Sequence, residues 1–481
     1  MNSIDWYRKC VKAMIVVWVV LAAMGSPRVV EAAPDSSRLN FIFLLVDDWG
    51  WKDAGCFGSD LYETPNIDRL AAQGMKFTNG YAACTVCSPT RAAVMSGKYP
   101  PKTGVTNWIS GPTMKLRHSE VTIAEALKAG GYKTAHIGKW HLSPRGAKDV
   151  ASYDPQHQGF DINIAGNHWG APGSYFHPYT TARKTMGPLP TGGKDGDFLT
   201  DRLTDEAVKI ISDWKGEPFF LYFPYYAVHT PIQGRPDRVA KYKKSLEAAG
   251  KTQHRNATYA AMVEGVDDSV GRIMKHLESL GIADRTVIFL TGDNGGLDRK
   301  GNPTDNAPLR AGKGSAYEGG VREPTIIKWP GVTPAGSVCD EPIISVDYYP
   351  TMLEMAAIPG DAKHNAQVDG VSLVSVLKQP KARLAQRTLY WHYPHSHGGG
   401  AKPYGALRDG DMRLLRFYGS GKIELYNLKD DISEANDLAA RMPEKAKALN
   451  AKLSAWLKAS GAKMPRARKP NANKNRKNKT K

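Results

Sequence analysis

Two kinds of residue in this sequence stand where they could do chemistry together. The first are oxygen donors: Asp47 and Asp48 follow the apolar run FIFLLV, and Asp293 and Asn294 follow RTVIFLTG. Three carboxylates and an amide make a hard-oxygen set, suited to Ca²⁺ or Mg²⁺ rather than to a thiolate zinc site. The second is the stretch CTVCSPTR, Cys84 to Arg91. A CxxC pair can serve redox chemistry or zinc, but no second CxxC and no further zinc ligands accompany this one. Ser88 can cap a helix and Pro89 fits its first turn, so Cys87 should sit just before a helix N-terminus. Free N–H groups there favour an anionic oxygen or a bound anion, and Arg91, one turn in, can point back to the same place.

The elements that must position these groups are legible as an alternation. FIFLLV reads as a strand buried on both faces, KTAHIGKWHL and RTVIFLTG as further strands, and PFFLYFPYYAVHTP as a buried strand running into a loop. TPNIDRLAAQG and SEVTIAEALKAGG read as helices closed by glycine, and the run from Tyr259 carries a helical core stripe of Met262, Val266, Val270, Ile273 and Leu277. Strands alternating with helices predict an α/β fold: a large mixed, mostly parallel sheet sandwiched by helices, with its site at the strand carboxyl ends. After about residue 365, TLYWHYP, YGALRDGDMRLLRFYG and KIELYNL suggest short antiparallel strands, followed by a helix near 443–459. The expected division is a leader at 1–33, a catalytic domain at 38–365, a C-terminal α+β subdomain at 366–462 and a basic tail at 463–481.

The chain has 481 residues and a formal charge of +18. About half of that excess lies in the Asn/Lys-rich tail, which weakens a nucleic-acid reading. No nucleic-acid partner is expected. At the other end, Arg8, Lys9 and Lys12 precede AMIVVWVVLAAMG and then VVEAAP. That order matches a secretory signal, with cleavage after Ala32 or Ala33 or earlier after Gly25, and predicts export to the periplasm or beyond the cell, an uncleaved anchor being the alternative. No integral membrane span is expected after cleavage. Four cysteines then remain, too few for a disulfide framework; Cys56 and Cys339 are buried thiols or a single bridge. Asn256-Ala-Thr258 is a glycosylation sequon where the source glycosylates exported proteins.

Cys87-Ser88-Pro89-Thr90-Arg91 resembles the CxPxR signature of the type I sulfatases, members of the alkaline phosphatase superfamily. The frame starting at Cys84, CTVCS, does not match, so Cys87 is the point of the stretch and Cys84 a bystander. VDDWGW, TPNIDRLAAQG, GYKTAHIGKWHL, FPYYAVHTP, TGDNGG and KGSAYEGGVREP also look like sulfatase segments in the family's order, and the resemblance covers most of the mature chain. Leu39, Phe41 and Ser143 depart from it without removing a functional group.

The resemblance implies that a formylglycine-generating, sulfatase-maturing enzyme oxidises Cys87 to formylglycine. One hydroxyl of the hydrated aldehyde attacks sulfur; the second releases sulfate from the resulting ester. It implies that Asp47, Asp48, Asp293, Asn294 and modified Cys87 bind the metal, with Ca²⁺ favoured over Mg²⁺. Arg91 should stabilise the hydrated aldehyde. Lys139 and Lys313 should hold sulfate oxygens. His141 should be the base, and His229 should contact sulfate and help protonate the leaving oxygen, with Lys313. The expected substrate is a sulfated carbohydrate. Asn107, Trp108, His168 and Trp169 combine rings with hydrogen-bonding groups suited to sugars. In HYPHSH, His392 and His395 are expected near the mouth of the site, with His397 in the same loop. Two alternatives stand beside this one: a formylglycine-dependent phosphodiesterase or phosphonate monoester hydrolase, and an inactive glycan-binding relative.

Overall fold

The computed structural model describes residues 38–189, 192–250, 252–298, 303–398 and 402–465. The leader and most of the basic tail lie outside these residues.

The main sheet has nine strands: β1 (Asn40–Val46), β2 (Met75–Tyr81), β3 (Lys133–Ile137), β4 (Ile162–Ile164), β5 (Phe219–Pro224), β6 (Thr286–Gly292), β7 (Arg322–Lys328), β8 (Ser337–Cys339) and β9 (Ile343–Ile344). Their spatial order is β4-β3-β5-β1-β6-β7-β2-β8, with β9 beside β2. Among the described residues, only β7 runs antiparallel to its neighbours. The continuous apolar runs arise because both faces are covered. In β1, Ile42, Leu44 and Val46 pack into one core with Val266 and Val270 of the Ala257–Ser279 helix. Phe41, Phe43 and Leu45 pack into the other, with Tyr348 and Met352. Strand side chains alternate between faces, so each face takes every second residue.

Register places the chemistry. β1 lies between β5 and β6, with Leu45 opposite Pro224 and Val46 opposite Gly292. Asp47 and Asp293 therefore leave neighbouring strands side by side. β3 ends at Ile137, and Gly138 turns the chain at φ 113°. A Cβ there would lie 2.1 Å from the Pro224 carbonyl oxygen, so only glycine lets Lys139 dock its N–H on that oxygen at 2.8 Å.

The C-terminal strands β10 (Thr388–Tyr393), β11 (Tyr404–Asp409), β12 (Met412–Phe417) and β13 (Ile423–Asn427) form an antiparallel sheet in sequence order. Helix Pro443–Ala459 covers one face through Leu449, Leu453 and Leu457. The other face, with Trp391, Tyr393 and Tyr426, packs on Tyr81, Val86 and Ala93 of the main body. Arg413, fully buried, pairs with Glu318 of the main body at 2.9 Å across that contact and with Glu434 of its own part at 3.2 Å. No described helix is long and apolar enough to cross a membrane. Cys56, Cys84, Cys87 and Cys339 are free thiols, so no Cys56–Cys339 bridge forms.

Candidate active site

The Cys87–Ser96 helix begins at Cys87 itself and ends on Gly97 at φ 68°. Ser88 does not cap it, contrary to the sequence expectation. Its hydroxyl instead donates to the His141 carbonyl at 2.9 Å and accepts from the Ile109 N–H at 3.1 Å. That one side chain ties three segments together: the helix start, the His141 turn and the Ile109 loop. Cys84 is buried, with its backbone N–H on the Thr90 hydroxyl at 3.1 Å, and takes no part in the site.

Arg91 is fully buried and spans the strand ends. Its Nε and Nη2 hold Asp293 Oδ2 at 2.8 and 2.7 Å, and Nη1 donates to the Lys139 carbonyl at 2.8 Å. Lys139 Nζ lies 2.6 Å from Asp47 Oδ2. Lys313 Nζ bonds Asp48 Oδ1, and Asn294 Nδ2 donates to the same oxygen at 2.8 Å. The Lys313 loop is pinned to the approach to Cys87: the Gly314 N–H bonds the Thr85 carbonyl at 2.9 Å, and the Thr85 hydroxyl bonds the Ser315 carbonyl at 2.7 Å. Asp48 and His141 both hold left-handed backbone, at φ 59° and 57°. Strain of this kind, of order 1–3 kcal/mol per residue, persists where packing over-determines the position.

Burial and the neighbouring Asp293 raise the Asp47 carboxyl well above the usual carboxylate range, against the pull of Lys139. Asp48 is equally buried, but Lys313, His229 and Lys139 outweigh that burial and hold it low. Lys313 is raised by Asp48 against its own burial. Burial raises the Cys87 thiol, although Lys139 and Lys313 oppose the shift.

His141 is the clearest piece of geometry. Its Nε2 lies 3.0 Å from the Ile109 carbonyl, which only accepts, so Nε2 carries the ring proton. Nδ1 is then a lone pair, 3.4 Å from Cys87 Sγ. Burial and the Lys139 charge depress its pKa well below 6.5, which keeps the ring neutral. His229 is held the other way round: Nδ1 donates to the Thr230 carbonyl at 2.8 Å, and Nε2 faces Asp48 Oδ2 at 3.6 Å. Burial takes its pKa to about 3, so the neutral ring has no N–H to give on that side.

Asp47 Oδ1, Asp48 Oδ2 and Asn294 Oδ1 are buried acceptors without a hydrogen-bond donor. Such groups are costly unless a cation or donor meets them. The donor set fits a hard divalent cation. Asp47, Asp48 and His229 each offer a ligand atom, all within 4.8 Å of one another. His229 thus stands with the carboxylates, a closeness the sequence reading did not include.

A cavity of about 270 Å³ opens in front of Cys87. Cys87, His141, His229 and Lys313 line its floor side, with Trp108 and Trp169 on the walls. His392 and His395 do not line it. His392 bonds the Tyr418 hydroxyl at 2.6 Å and the Lys463 carbonyl at 3.0 Å, and His395 bonds the Thr106 hydroxyl at 3.0 Å. His397 is the histidine of that loop on the cavity wall. Arg145 and Lys184 also line it, and nothing local in the sequence marked them.

The sequence matches the family model described as Sulfatase over residues 39–358, and that described as N-sulphoglucosamine sulphohydrolase, C-terminal, over 312–462. A sulfatase of Formosa agariphila is 34% identical, covering 88% of this chain and 89% of its own. The N-acetylgalactosamine-6-sulfatase of Sus scrofa is 32% identical, covering 78% and 71%. Among solved structures, Ps i-CgsB in complex with k-i-k-neocarrahexaose superposes with a TM-score of 0.74 at 28% identity, over 89% of this chain and 95% of that one. With its strand-end carboxylates, its Cys87 helix and its alkaline phosphatase-like sheet, the chain belongs to the sulfatase family of sulfuric ester hydrolases.

Proposed function

We propose that the protein is an exported carbohydrate sulfatase, cutting sulfate esters from a sulfated glycan with Cys87 matured to formylglycine. The observation that carries this reading is the His141 lone pair 3.4 Å from position 87, at a helix N-terminus, with Lys313 and His229 on the same cavity. The carbohydrate assignment is supported by relatives named N-acetylgalactosamine-6-sulfatase and by a neighbour in complex with k-i-k-neocarrahexaose. The rim supports it too: Trp108, 40% exposed, lines the same cavity as His168, a ring and a hydrogen-bonding group suited to a sugar.

Asp47, Asp48, Asp293 and Asn294 would hold the cation, with the residue at 87. When bound, it supplies charge neutralisation at the sulfate oxygens. The hydrated aldehyde at 87 supplies a nucleophilic hydroxyl and a second hydroxyl that ends the cycle. The chain's own side chains do the rest. Lys139 and Lys313, both buried, provide fixed positive charge for sulfate oxygens. Arg91 fixes the Lys139 backbone and Asp293 at once. His141 Nδ1 accepts the proton at position 87, and its Nε2–H stays on Ile109. Lys313, held protonated, is the proton source beside the leaving oxygen; His229 can share that task only after taking up a proton.

The test is sulfate release from defined sulfated mono- and oligosaccharides, with aryl sulfate, steroid sulfate and phosphate diester controls. The aldehyde at Cys87 is first verified by peptide mass. Release from a sulfated sugar is expected. Hydrolysis of the phosphate diester alone would overturn the reading.

A further inference from the structure

We propose that the cavity contains a second anion-binding position, built by Arg145 and Lys184 around Trp169, which reads a sulfate or carboxylate on the glycan next to the ester being cut. The proposal rests on the sulfatase reading and narrows its substrate to a glycan with at least two anionic groups close together.

The cavity holds two different kinds of cation. Lys313 on its lining, and Lys139 buried outside the lining, are each balanced by a buried carboxylate, Asp48 and Asp47. Arg145 and Lys184, on the wall, are not. The Arg145 guanidinium lies 4.4 Å over the Trp169 ring, and Lys184 Nζ lies 5.8 Å from the same centroid. Lys184 Nζ has a weak bond of 3.3 Å to the Pro172 carbonyl. Among the described residues neither the half-buried Lys184 nor the exposed Arg145 forms an ion pair, whereas the half-buried Arg202 and Arg387 each do. Two like charges on one ring repel. Burial, then the Arg145 and Lys139 charges, lower the Lys184 ammonium, and burial with Arg145 lowers His168. An anion between them would relieve that repulsion and gain charge-assisted hydrogen bonds.

The platform is fixed and adjoins the reacting position. The Trp169 N–H bonds Asn167 Oδ1 at 2.8 Å, and the Asn167 carbonyl receives the His141 N–H at 3.0 Å. A Cβ on Gly170 would lie 2.4 Å from His141 Cε1, so the strip after Trp169 runs directly against the catalytic ring. The Arg145 backbone is held in turn by the Gly111 carbonyl at 3.0 Å. A group bound here is thus a neighbour of the scissile sulfate on the same sugar or the next.

The experiment measures binding by calorimetry on the Cys87→Ser protein, which cannot turn over by the matured route. Three disaccharides share one skeleton and one sulfate; the second carries an added sulfate, the third an added carboxylate. The charged pair should bind roughly tenfold tighter or more than the singly sulfated sugar, as a charge-assisted contact predicts. In Arg145→Gln/Lys184→Gln protein that ratio should collapse toward about two. Lys184→Gln alone, at a half-exposed position, should give an intermediate ratio even where the double variant folds poorly. Tightening by one added group only identifies which anion is read. Equal binding of all three sugars, or a ratio untouched in the variants, overturns the proposal. Sulfate release by the matured enzyme is scored separately: turnover of sulfate esters with no charge discrimination would sink this inference alone, and no turnover of any sulfate ester would sink the sulfatase reading beneath it.

Discussion

Lys139 Nζ lies 2.6 Å from Asp47 Oδ2, and both side chains are wholly buried. Even so, Asp47 stays raised, because burial and Asp293 outweigh the lysine. Asp47 Oδ1, Asp48 Oδ2 and Asn294 Oδ1 beside this pair have no donor, and a divalent cation would meet them. Chelator-treated protein should therefore melt lower than protein with millimolar Ca²⁺. At a hundredfold excess over Kd the gain is about 2.7 kcal/mol. Asp48→Asn should remove most of that response. A melting temperature indifferent to Ca²⁺ and Mg²⁺ alike would take the cation out of this site.

Arg91 is a structural prediction as well as a catalytic one. Its guanidinium is the nearest cation to Asp293, at 2.7 Å, and also holds the Lys139 carbonyl. Arg91→Met leaves a buried carboxylate unpaired, a loss of about 3–5 kcal/mol. Arg91→Lys keeps the charge but cannot fork to both partners, so it should lose less. Urea denaturation of the two variants separates these cases. A loss below about 1 kcal/mol for Arg91→Met would mean Asp293 is compensated by another group.

The parts of this site that were legible in the sequence are those fixed by strand ends. Apolar runs stopping at Asp47 and Asp293 put both carboxylates on one sheet edge, because parallel strands in register end together. Cys87 was legible through its pentapeptide and the glycine stop at Gly97. Ser88 was misread because capping is a local preference, while its partners, His141 and Ile109, arrive from far along the chain. His392 was misplaced by strand parity. Trp391 and Tyr393 face the main body, which turns His392 to the opposite side, toward Tyr418 and Lys463. Both faces of β10 are covered, so no polar alternation revealed which was which. Arg145 and Lys184 sit in irregular segments, and only the tertiary fold brings both onto Trp169.

His141 should govern turnover more than binding. His141→Ala should lower kcat by roughly 10²–10⁴-fold, with KM moving much less. The pH profile carries a second expectation. The active form of a base is the neutral ring, and burial with Lys139 already depresses its pKa well below 6.5. Its titration should therefore lie below the ordinary histidine range, and kcat should show no His141 inflection near the ordinary histidine value. An acid limb centred there that vanishes in His141→Gln would contradict the buried, neutral assignment.

His136 tests the same physics at a position outside the reaction. Its ring is wholly buried, edge-on to Trp140 at 5.4 Å and Phe160 at 5.5 Å. Burial, and then the Arg91 charge, take its pKa from 6.5 down to about 3. Between those values the unfolded chain binds a proton that the folded chain refuses. The stability this ring contributes is thus complete above pH 6.5 and is lost progressively as the pH falls toward 3. One proton of difference gives a slope of about 1.4 kcal/mol per pH unit in that window. His136→Phe keeps an aromatic ring among aromatic neighbours and removes the titration. Unfolding free energy measured from neutral to mildly acid pH should fall less steeply for the variant, by about that slope. Parallel curves for the two proteins would show that the acid sensitivity of the fold resides in other groups.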